Sequence, residues 1–331
     1  MYNKIKNFPK QILNTIGITK SLDIGGDYDK VVIVGMGGSA IAGLIVKDLL
    51  PQVNIVVERN YIPNTSIDQD TLVIVSSYSG NTEETLSYYN CAKELTDTIY
   101  GISSGGELLE ALKNDNKDYY ILPEGYPPRS VIGYTLTVLM RLLDSSSLKD
   151  INVDLLQNYS DQLSLEESTA HILAKKIYST IPIIVTEENA TSIGFRLKSQ
   201  LNENSKMLSY NITLPEMNHN EIVGWQGKEI DKNAFSLVWI DIRYKKNVKR
   251  MNITNNILKD RVVSNHHIDV PSEIPSTSST INFSLATNHL ASCLYLINYV
   301  DWLSYWCANL HGVDIMNIDN IDTLKKSITV E

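Results

Sequence analysis

The sequence is poor in cysteine, in positive charge and in long apolar runs, and each shortage argues against a class of protein. Its three cysteines lie far apart without a C-x-x-C pair, which argues against a disulfide scaffold and favours a reducing compartment. The 38 acidic residues outnumber the 29 basic ones, so a net charge of −9 offers no basic surface to nucleic acid or an anionic membrane. No apolar run approaches the ~20 residues of a membrane helix, and the N-terminus lacks a signal-peptide core. We therefore expect a cytoplasmic protein with neither a membrane nor nucleic acid as partner.

The chain of 331 residues is long enough for two domains of roughly 150 residues each. In both halves, short runs of β-branched residues alternate with polar loops and helical stretches. That alternation is typical of a mainly parallel sheet with helices on both faces. A polar, serine-rich segment at residues 143–155 lies between the halves. The sequence therefore predicts an α/β fold with two related three-layer αβα domains, at residues 1–148 and 149–331.

A glycine-rich loop, GMGGSAIAG at residues 35–43, follows the apolar strand predicted at residues 31–34 and opens a helix. Glycines let a ligand approach the backbone, and the unpaired N–H groups of a helix N-terminus attract anions. The spacing is neither that of G-x-G-x-x-G nor that of a P-loop, which argues against a nucleotide site. An anion site and a tight strand-to-helix turn are the two interpretations of this loop.

A second loop, SSYSGNTEET at residues 76–85, places the hydroxyls of Ser77, Ser79 and Thr82 between a buried strand and the start of a helix. Thr82 lies at the predicted helix cap, and two glutamates follow where the helix dipole favours acids. Several hydroxyls and N-terminal amides together suit a phosphate monoester. Because the carboxyl ends of parallel strands line one crevice, both loops are predicted to share a ligand site.

Four further patterns predict local structure. Apolar residues at three- and four-residue steps near the N-terminus predict an amphipathic helix. Residues 192–202 predict a helix that ends just before Glu203. Residues 284–310 predict a long, aromatic-rich helix, typical of a core or a subunit interface. His266 and His267 are expected in a loop.

The two ligand loops together resemble the sugar isomerase (SIS) domain, whose S-x-S-G-x-T loop holds a sugar phosphate. Four more segments extend the resemblance over almost the whole chain: LPEGYPPRS at residues 122–130, QLNENSK at 200–206, PEMNHNEIVGW at 215–225 and IDTLK at 321–325. In this order they are similar to the archaeal-type bifunctional phosphoglucose/phosphomannose isomerases. The resemblance implies flavodoxin-like SIS domains and an aldose–ketose isomerase that needs no cofactor. Its substrates would be glucose 6-phosphate and mannose 6-phosphate, each converted to fructose 6-phosphate through a cis-enediol.

The resemblance also implies the roles of individual residues. Arg129 would stabilise negative charge on the intermediate, and Glu203 would move the proton between carbons 1 and 2. Glu216 and Glu221 are the rival carboxylates closest in sequence. The phosphate would be held by hydroxyls and amides of the two loops: Gly37, Gly38, Ser39, Ser77, Ser79 and Thr82.

His219 and Lys325 are the residues that the resemblance assigns to opening of the sugar ring. A neutral imidazole such as that of His219 exchanges a proton near pH 7. In the family this histidine comes from the partner subunit, which implies a homodimer with shared sites. Lys326 is the rival of Lys325. Ile315 and Met316 stand where the family carries a threonine associated with turning the substrate about its carbon 2–carbon 3 bond. The mannose epimer is therefore expected to be handled poorly or through another residue.

Two other functions are compatible with these motifs. A non-catalytic sugar-phosphate sensor would use the same fold, but such sensors generally carry a helix-turn-helix, and neither the charge nor the N-terminus suggests one. An aminosugar phosphate isomerase is the second alternative, although 331 residues leave no room for an amidotransferase domain. The six histidines show no ligand spacing, so no metal site is expected.

Overall fold

The computed structural model describes residues 1–17, 28–242, 245–274 and 286–328, which form two β-sheets covered by helices. The strands of the first sheet are β1 (Lys30–Val34), β2 (Ile55–Glu58), β3 (Thr71–Ser76), β4 (Ile99–Ser103) and β5 (Asp118–Ile121). Those of the second sheet are β6 (Ile181–Glu187), β7 (Tyr210–Leu214), β8 (Phe235–Asp241) and β9 (Ser264–Asp269). Each described pair of neighbouring strands is parallel.

The strand order is the same in both sheets. The first sheet runs β2-β1-β3-β4-β5, and the second runs β7-β6-β8-β9. Among the described residues, the second sheet thus repeats the order of the first without its fifth strand. This is the flavodoxin-like order, in which the winding direction reverses between the first and third strands. The predicted α/β fold with two related parallel sheets is confirmed.

Helices cover both faces of each sheet. In the first half they are α1 (Tyr2–Lys6), α2 (Phe8–Ile16), α3 (Gly37–Leu49), α4 (Glu83–Ala92), α5 (Gly106–Asn114) and α6 (Ile132–Leu143). In the second half they are α7 (Val153–Leu163), α8 (Thr169–Ile177), α9 (Thr191–Ser205), α10 (Glu221–Gly224), α11 (Lys245–Leu258), α12 (Ala286–His311) and α13 (Asp319–Ile328). Within the described ranges, none of these helices combines the length and the apolar character that crossing a membrane requires.

The two sheets share one hydrophobic core. β1 and β3 are apolar over nearly their whole length because helices cover them on both faces. One face packs on α4 and α5 through side chains such as Tyr88 and Leu108. The other face joins a continuous cluster that runs through α3, α6 and α12 to the second sheet. The halves are therefore packed together and not merely linked by the chain.

The long aromatic-rich helix α12 is a core helix. Trp302 is fully buried and Trp306 nearly so. Their indole N–H groups donate to Ser160 Oγ at 3.2 Å and to the carbonyl oxygen of Leu163 at 3.0 Å, both on α7. Of the two interpretations of this helix, core and subunit interface, the structure therefore favours the core. Residues 284 and 285 of the predicted helix lie outside the described residues.

Two local predictions are corrected by the structure. The N-terminal helix is divided at Asn7 into α1 and α2, because Pro9 has no N–H with which to continue the hydrogen-bond ladder of α1. His266 and His267 lie in the edge strand β9 and not in a loop. A polar edge strand has little of the apolar alternation on which strand prediction depends.

A buried ion pair joins α9 to α12. Arg196 Nε and Nη2 donate to the two carboxylate oxygens of Asp301 at 2.9 and 2.7 Å, and both side chains are almost completely buried. Gln200 Nε2, one turn further along α9, donates to the same carboxylate at 2.7 Å. Buried charges are tolerated when they are paired and hydrogen-bonded in this way. The pair therefore fixes how α9 is rotated against α12.

Replacing Asp301 by Ala should lower the free energy of unfolding by about 3–5 kcal/mol, because the Arg196 charge would stay buried without a counter-ion. Asp161→Ala is the matched control, since Asp161 pairs with Lys6 at 3.4 Å but the two side chains are 48% and 38% exposed to solvent. The control should lose less than about 1 kcal/mol. Denaturant unfolding measures both, and equal losses would mean that the buried pair does not stabilise the helix contact.

Candidate active site

The carboxyl ends of β1 and β3 lie side by side and carry the two predicted ligand loops. Val34 and Val75 are partners in the parallel ladder. A Cβ atom at Gly35 would lie 2.7 Å from the carbonyl oxygen of Ser76, so the close approach of the two strand ends requires glycine. In flavodoxin-like sheets a crevice opens at this point, and ligands bind there.

The glycine-rich loop lies at this end of the sheet, next to the end of β3. α3 begins at Gly37, whose φ of 52° lies in the left-handed region that favours glycine. A Cβ atom at Gly38 would lie 3.3 Å from the carbonyl oxygen of Pro128 and 3.7 Å from Cα of Arg129. The first turn of α3, which includes Ser39, therefore packs on the segment that carries Arg129. It brings the unpaired N–H groups of a helix start to this place.

The serine-rich loop between β3 and α4 holds its hydroxyls close together. Ser77 Oγ lies 2.9 Å from Thr82 Oγ1 and accepts the backbone N–H of Gly80 at 3.1 Å. Ser79 Oγ accepts the N–H of Asn81 at 3.2 Å. Thr82 is the residue before α4, as predicted. The hydroxyls of Ser77 and Thr82 thus meet at the N-terminal turn of a helix, with Ser79 in the same loop, which is an arrangement suited to a phosphate group.

The serine-rich loop is fixed against the loop that follows β4. Gly80 has a φ of 71°, and a Cβ atom there would lie 1.8 Å from the carbonyl oxygen of Gly105. Asn81 Oδ1 accepts the N–H of Glu107 at 3.0 Å, and the carbonyl oxygen of Gly80 accepts the N–H of Leu108 at 2.9 Å. The backbone that carries the hydroxyls is therefore held by hydrogen bonds and close packing within the chain.

Tyr78 connects the serine-rich loop to the loop that carries Arg129. Its hydroxyl donates to the carbonyl oxygen of Pro123 at 3.0 Å and accepts the N–H of Tyr126 at 2.9 Å. Both partners belong to the segment of residues 122–130. The hydroxyl cluster and Arg129 are thus tied together by one side chain.

Arg129 and Glu203 lie beside each other where the two halves of the chain meet. Arg129, in a short 3-10 turn, is only 6% exposed, and its Nη1 lies 3.5 Å from Oε2 of Glu203, which is 32% exposed. The expectation that Glu203 lies beyond its helix is wrong, because α9 continues to Ser205 and ends at Lys206, whose φ is 56°. The run N-E-N-S contains neither glycine nor proline, so only the left-handed residue ends the helix.

Burial and neighbouring charges shift the pKa values of Arg129 and Lys206, the two cations near Glu203. Burial lowers the pKa of the Arg129 guanidinium, and the Glu203 carboxylate partly offsets this. Arg129 keeps its charge at neutral pH, as arginine does in proteins. Partial burial and the Arg129 charge lower the pKa of Lys206, while Asp314, Glu203 and Asp319 act in the opposite direction. Lys206 Nζ donates to the backbone oxygens of Glu203 and Asn317 at 2.7 and 2.8 Å.

The structure does not bring every predicted residue to this cluster within one chain. His219 is exposed at the end of a 3-10 turn, and Lys325 and Lys326 lie on the exposed helix α13. Among the described residues, no hydrogen bond or ion pair joins His219 to Arg129 or Glu203. The rival carboxylates Glu216 and Glu221 are likewise exposed and belong to the His219 segment.

Several residues of this site were missed by sequence reasoning. Asn204, Gln200 and Arg196 follow one stripe of α9 and approach Arg129 through buried contacts. Their i, i+4 spacing would have placed them on one helix face, but Asp301, the partner of Arg196 and Gln200, is 105 residues from Arg196. Tyr78 gave no signal apart from its place inside the serine-rich loop.

The arrangement has the chemical parts for proton transfer beside a bound anion. A carboxylate that is partly exposed to solvent can take and return a proton, and the adjacent guanidinium can stabilise an oxyanion. The hydroxyl cluster can hold a phosphate group at a fixed distance from that pair. Among the described residues, no group of three or more His, Cys, Asp or Glu side chains has the geometry of a metal site.

A family model matches the second half of the chain. Residues 166–328 match the family described as the bacterial phospho-glucose isomerase C-terminal SIS domain. A "bifunctional phosphoglucose/phosphomannose isomerase" of Caldicellulosiruptor bescii is 33% identical, over 99% of this chain and 98% of that protein. A protein of Aquifex aeolicus with the same name is also 33% identical, over 91% of each chain.

Solved structures show the same fold at low sequence identity. The crystal structure of glucosamine-6-phosphate deaminase from Thermotoga maritima superposes with a TM-score of 0.68, over 94% of this chain and 95% of that one, at 14% identity. At this low sequence identity the match supports the fold and nothing further.

Gly80→Ala should destabilise the protein more than Gly125→Ala. Both glycines have positive φ, so each substitution carries a backbone penalty of about 1–2 kcal/mol. Only at Gly80 does the new Cβ also collide with a backbone oxygen, whereas at Gly125 there is no heavy atom within 4 Å. Denaturant unfolding compares the two variants. Equal losses would mean that the serine-rich loop moves freely away from the loop after β4.

Proposed function

The chain belongs to the bifunctional phosphoglucose/phosphomannose isomerase family, and we propose that it interconverts fructose 6-phosphate with glucose 6-phosphate and with mannose 6-phosphate. The observation that supports this most directly is the Arg129–Glu203 pair, whose side chains are 3.5 Å apart. Arg129 lies on a segment that Tyr78 ties to the serine-rich loop. Relatives of nearly full length that are named isomerases disfavour the two alternatives, a non-catalytic sensor and an aminosugar isomerase.

The phosphate group of the substrate binds at the two loops in this proposal. The hydroxyls of Ser77 and Thr82 lie 2.9 Å apart, Ser79 belongs to the same loop, and the N-terminal turn of α4 adds its dipole. The start of α3 supplies the amides of Gly37 and Gly38 and the hydroxyl of Ser39. A lysine is unnecessary here because helix N-termini and hydroxyls together stabilise a dianion.

Glu203 is the base that moves the proton, and Arg129 stabilises the intermediate. In the open-chain aldose, Glu203 removes the proton from carbon 2 while the carbonyl oxygen on carbon 1 gains electron density. In the resulting cis-enediolate the hydroxyl proton of oxygen 2 passes to oxygen 1, which moves the negative charge to oxygen 2. Glu203 then gives a proton to carbon 1, which yields the ketose and leaves Glu203 ionised. The Arg129 charge lies on the side of Glu203 where it can stabilise the developing oxyanion.

Ring opening requires His219 and Lys325, and we propose that His219 is supplied by a second copy of the chain. His219 is exposed in the single chain, and exposed apolar residues border its segment on both sides: Leu208 is 67%, Tyr210 51% and Val223 59% exposed. Exposed apolar groups near a functional residue are typical of an interaction surface. A symmetric dimer would cover them and give two shared sites.

The mannose epimer is expected to react more slowly than the glucose epimer. The expected threonine is replaced by Ile315 and Met316, whose side chains have no hydroxyl. The backbone oxygen of Ile315 accepts a hydrogen bond from Arg129 Nη2 at 2.6 Å, so this segment lies beside the residue that is proposed to act at the reacting carbons. This segment therefore offers no side-chain hydroxyl that could help to turn the substrate about its carbon 2–carbon 3 bond.

Two further parts of the proposal concern organisation and location. We propose a domain boundary between residues 148 and 149, because a 3-10 turn ends at Leu148 before α7 begins and the matched family region starts at residue 166. We place the enzyme in the cytoplasm, because Cys91, Cys293 and Cys307 are all free thiols, as a reducing compartment maintains them.

A coupled assay with each of the three sugar phosphates tests the activity, and Glu203→Gln tests the base. The amide keeps the shape of the side chain but cannot take the proton, so kcat should fall by about 100-fold or more. Deuterium incorporation from solvent at carbon 2 should fall in parallel. EDTA should leave the wild-type rate unchanged.

Glu216→Gln and Glu221→Gln are the matched controls, since both carboxylates are exposed and close in sequence to His219. Each should retain most of the wild-type kcat. Normal turnover of Glu203→Gln together with a large loss of kcat in either control would mean that Glu216 or Glu221 is the base. A wild-type protein inactive on all three substrates would contradict the proposed function.

Mixing His219→Ala subunits with Glu203→Gln subunits should restore activity if sites are shared. Each mixed dimer would contain one doubly defective site and one intact site. About half of randomly mixed dimers are heterodimers, so recovery should approach about a quarter of the wild-type activity. Activity at the level of the separate variants, despite verified subunit exchange, would mean that each site is built within one chain.

A further inference from the structure

Two of the three nitrogen atoms of the Arg129 guanidinium are hydrogen-bonded within the protein, and the third lies near Glu203. Its Nε donates to Oδ1 of Asn204 at 2.7 Å, and its Nη2 donates to the backbone oxygen of Ile315 at 2.6 Å. Its Nη1 lies 3.5 Å from the Glu203 carboxylate. Because the guanidinium is planar and rigid, fixing Nε and Nη2 also fixes the direction of Nη1.

The hydrogen bonds around Asn204 allow its amide only one orientation. Asn204 Nδ2 lies 2.9 Å from Ser304 Oγ and 3.3 Å from Gln200 Oε1. Ser304 already donates its hydroxyl hydrogen to the backbone oxygen of Asp301 at 2.8 Å, and Gln200 already donates its amide to the Asp301 side chain. Both neighbours therefore present acceptors to Asn204. A flipped amide would oppose oxygen to oxygen, so Oδ1 must point to Arg129.

The same group of residues also holds the backbone of Arg129. Arg196 Nη2 donates to the carbonyl oxygen of Arg129 at 2.9 Å while it pairs with Asp301. All of these side chains except that of Glu203 are buried, and low-dielectric surroundings make an unsatisfied donor or acceptor costly. The direction of the guanidinium is thus determined from inside the protein and not by a ligand.

We propose that Asn204 is a positioning residue, which aims Nη1 of Arg129 at the side of Glu203 where charge develops during isomerisation. This inference rests on the proposed roles of Arg129 and Glu203. Asn204 is next to Glu203 in sequence, but its side chain is fully buried and acts through Arg129. Its contribution therefore belongs to kcat, whereas the phosphate loops on the other side of the crevice govern most of KM.

Asn204→Ala should lower kcat by roughly 10- to 100-fold, the range expected for one lost hydrogen bond to a charged group, while KM stays within about twofold. Asn204→Leu, which fills the space but has no acceptor, should behave in the same way. The matched control is Ser205→Ala, because Ser205 is equally buried on α9 and donates to the backbone oxygen of Ser304 at 2.6 Å, but makes no contact with Arg129. The control should lose stability with little change in kcat.

A double-mutant cycle separates positioning from a general structural effect. Arg129→Lys keeps the charge but removes Nε, so adding Asn204→Ala to it should lower kcat by less than about twofold. The same four proteins should also show non-additive losses in the free energy of unfolding, a measurement that needs no activity. A loss of kcat that is equal in both backgrounds, or one that is matched by Ser205→Ala, would overturn the proposal.

The two proposals fail in different ways. A wild-type protein that is inactive on all three sugar phosphates contradicts the proposed function. The unfolding cycle would still decide whether Asn204 fixes Arg129, and additive losses there would overturn the positioning role whatever the activity. Active enzyme with a change in KM alone would show that Asn204 acts on substrate binding and not on the direction of Arg129.

Discussion

The buried carboxylate of Asp301 is the constraint on which the rest of the site depends. An ionised group inside a hydrophobic cluster requires full compensation, and Arg196 and Gln200 supply it from successive turns of α9. These contacts allow α9 a single rotation and height against α12. Arg196 in turn holds the backbone of Arg129, and Glu203 follows on the last turn of the same helix. One buried charge thus determines where both groups of the proposed proton transfer lie.

The two ends of the proposed site are built by different kinds of interaction. At the proposed phosphate end, backbone conformation dominates: glycines at tight approaches hold the loops whose hydroxyls and N–H groups are proposed to bind the phosphate. At the other end, side chains from both halves of the molecule interlock around Arg129. Tyr78 and the contact between Gly38 and Pro128 join these ends. The two ends of the proposed site are therefore held relative to each other by contacts within the chain.

Local patterns were sufficient to predict the sheets and to place the two loops at the carboxyl ends of β1 and β3. The β-branched run of β1 and the hydroxyl-rich loop after β3 are contiguous in sequence, so their structure follows from neighbours along the chain. The reacting end was harder, because Arg129 and Asn204 are 75 residues apart and no pattern links them. The resemblance to a family identified Arg129 and Glu203, but not the buried residues that hold them. The end of α9 was misjudged because a polar run resembles a loop even when a helix continues through it.

The separation between buried and exposed groups matches a separation between chemical steps. Proton transfer between carbons 1 and 2 requires a base and a charge-stabilising group at fixed distances, and Glu203 and Arg129 are fixed within one chain by buried contacts. Ring opening acts on a cyclic sugar that must first enter, and the groups proposed for it, His219 and Lys325, lie on exposed segments. In a shared-site dimer, association of two chains would therefore govern access to the open-chain sugar. The chemistry performed on that open chain would be built into each chain separately.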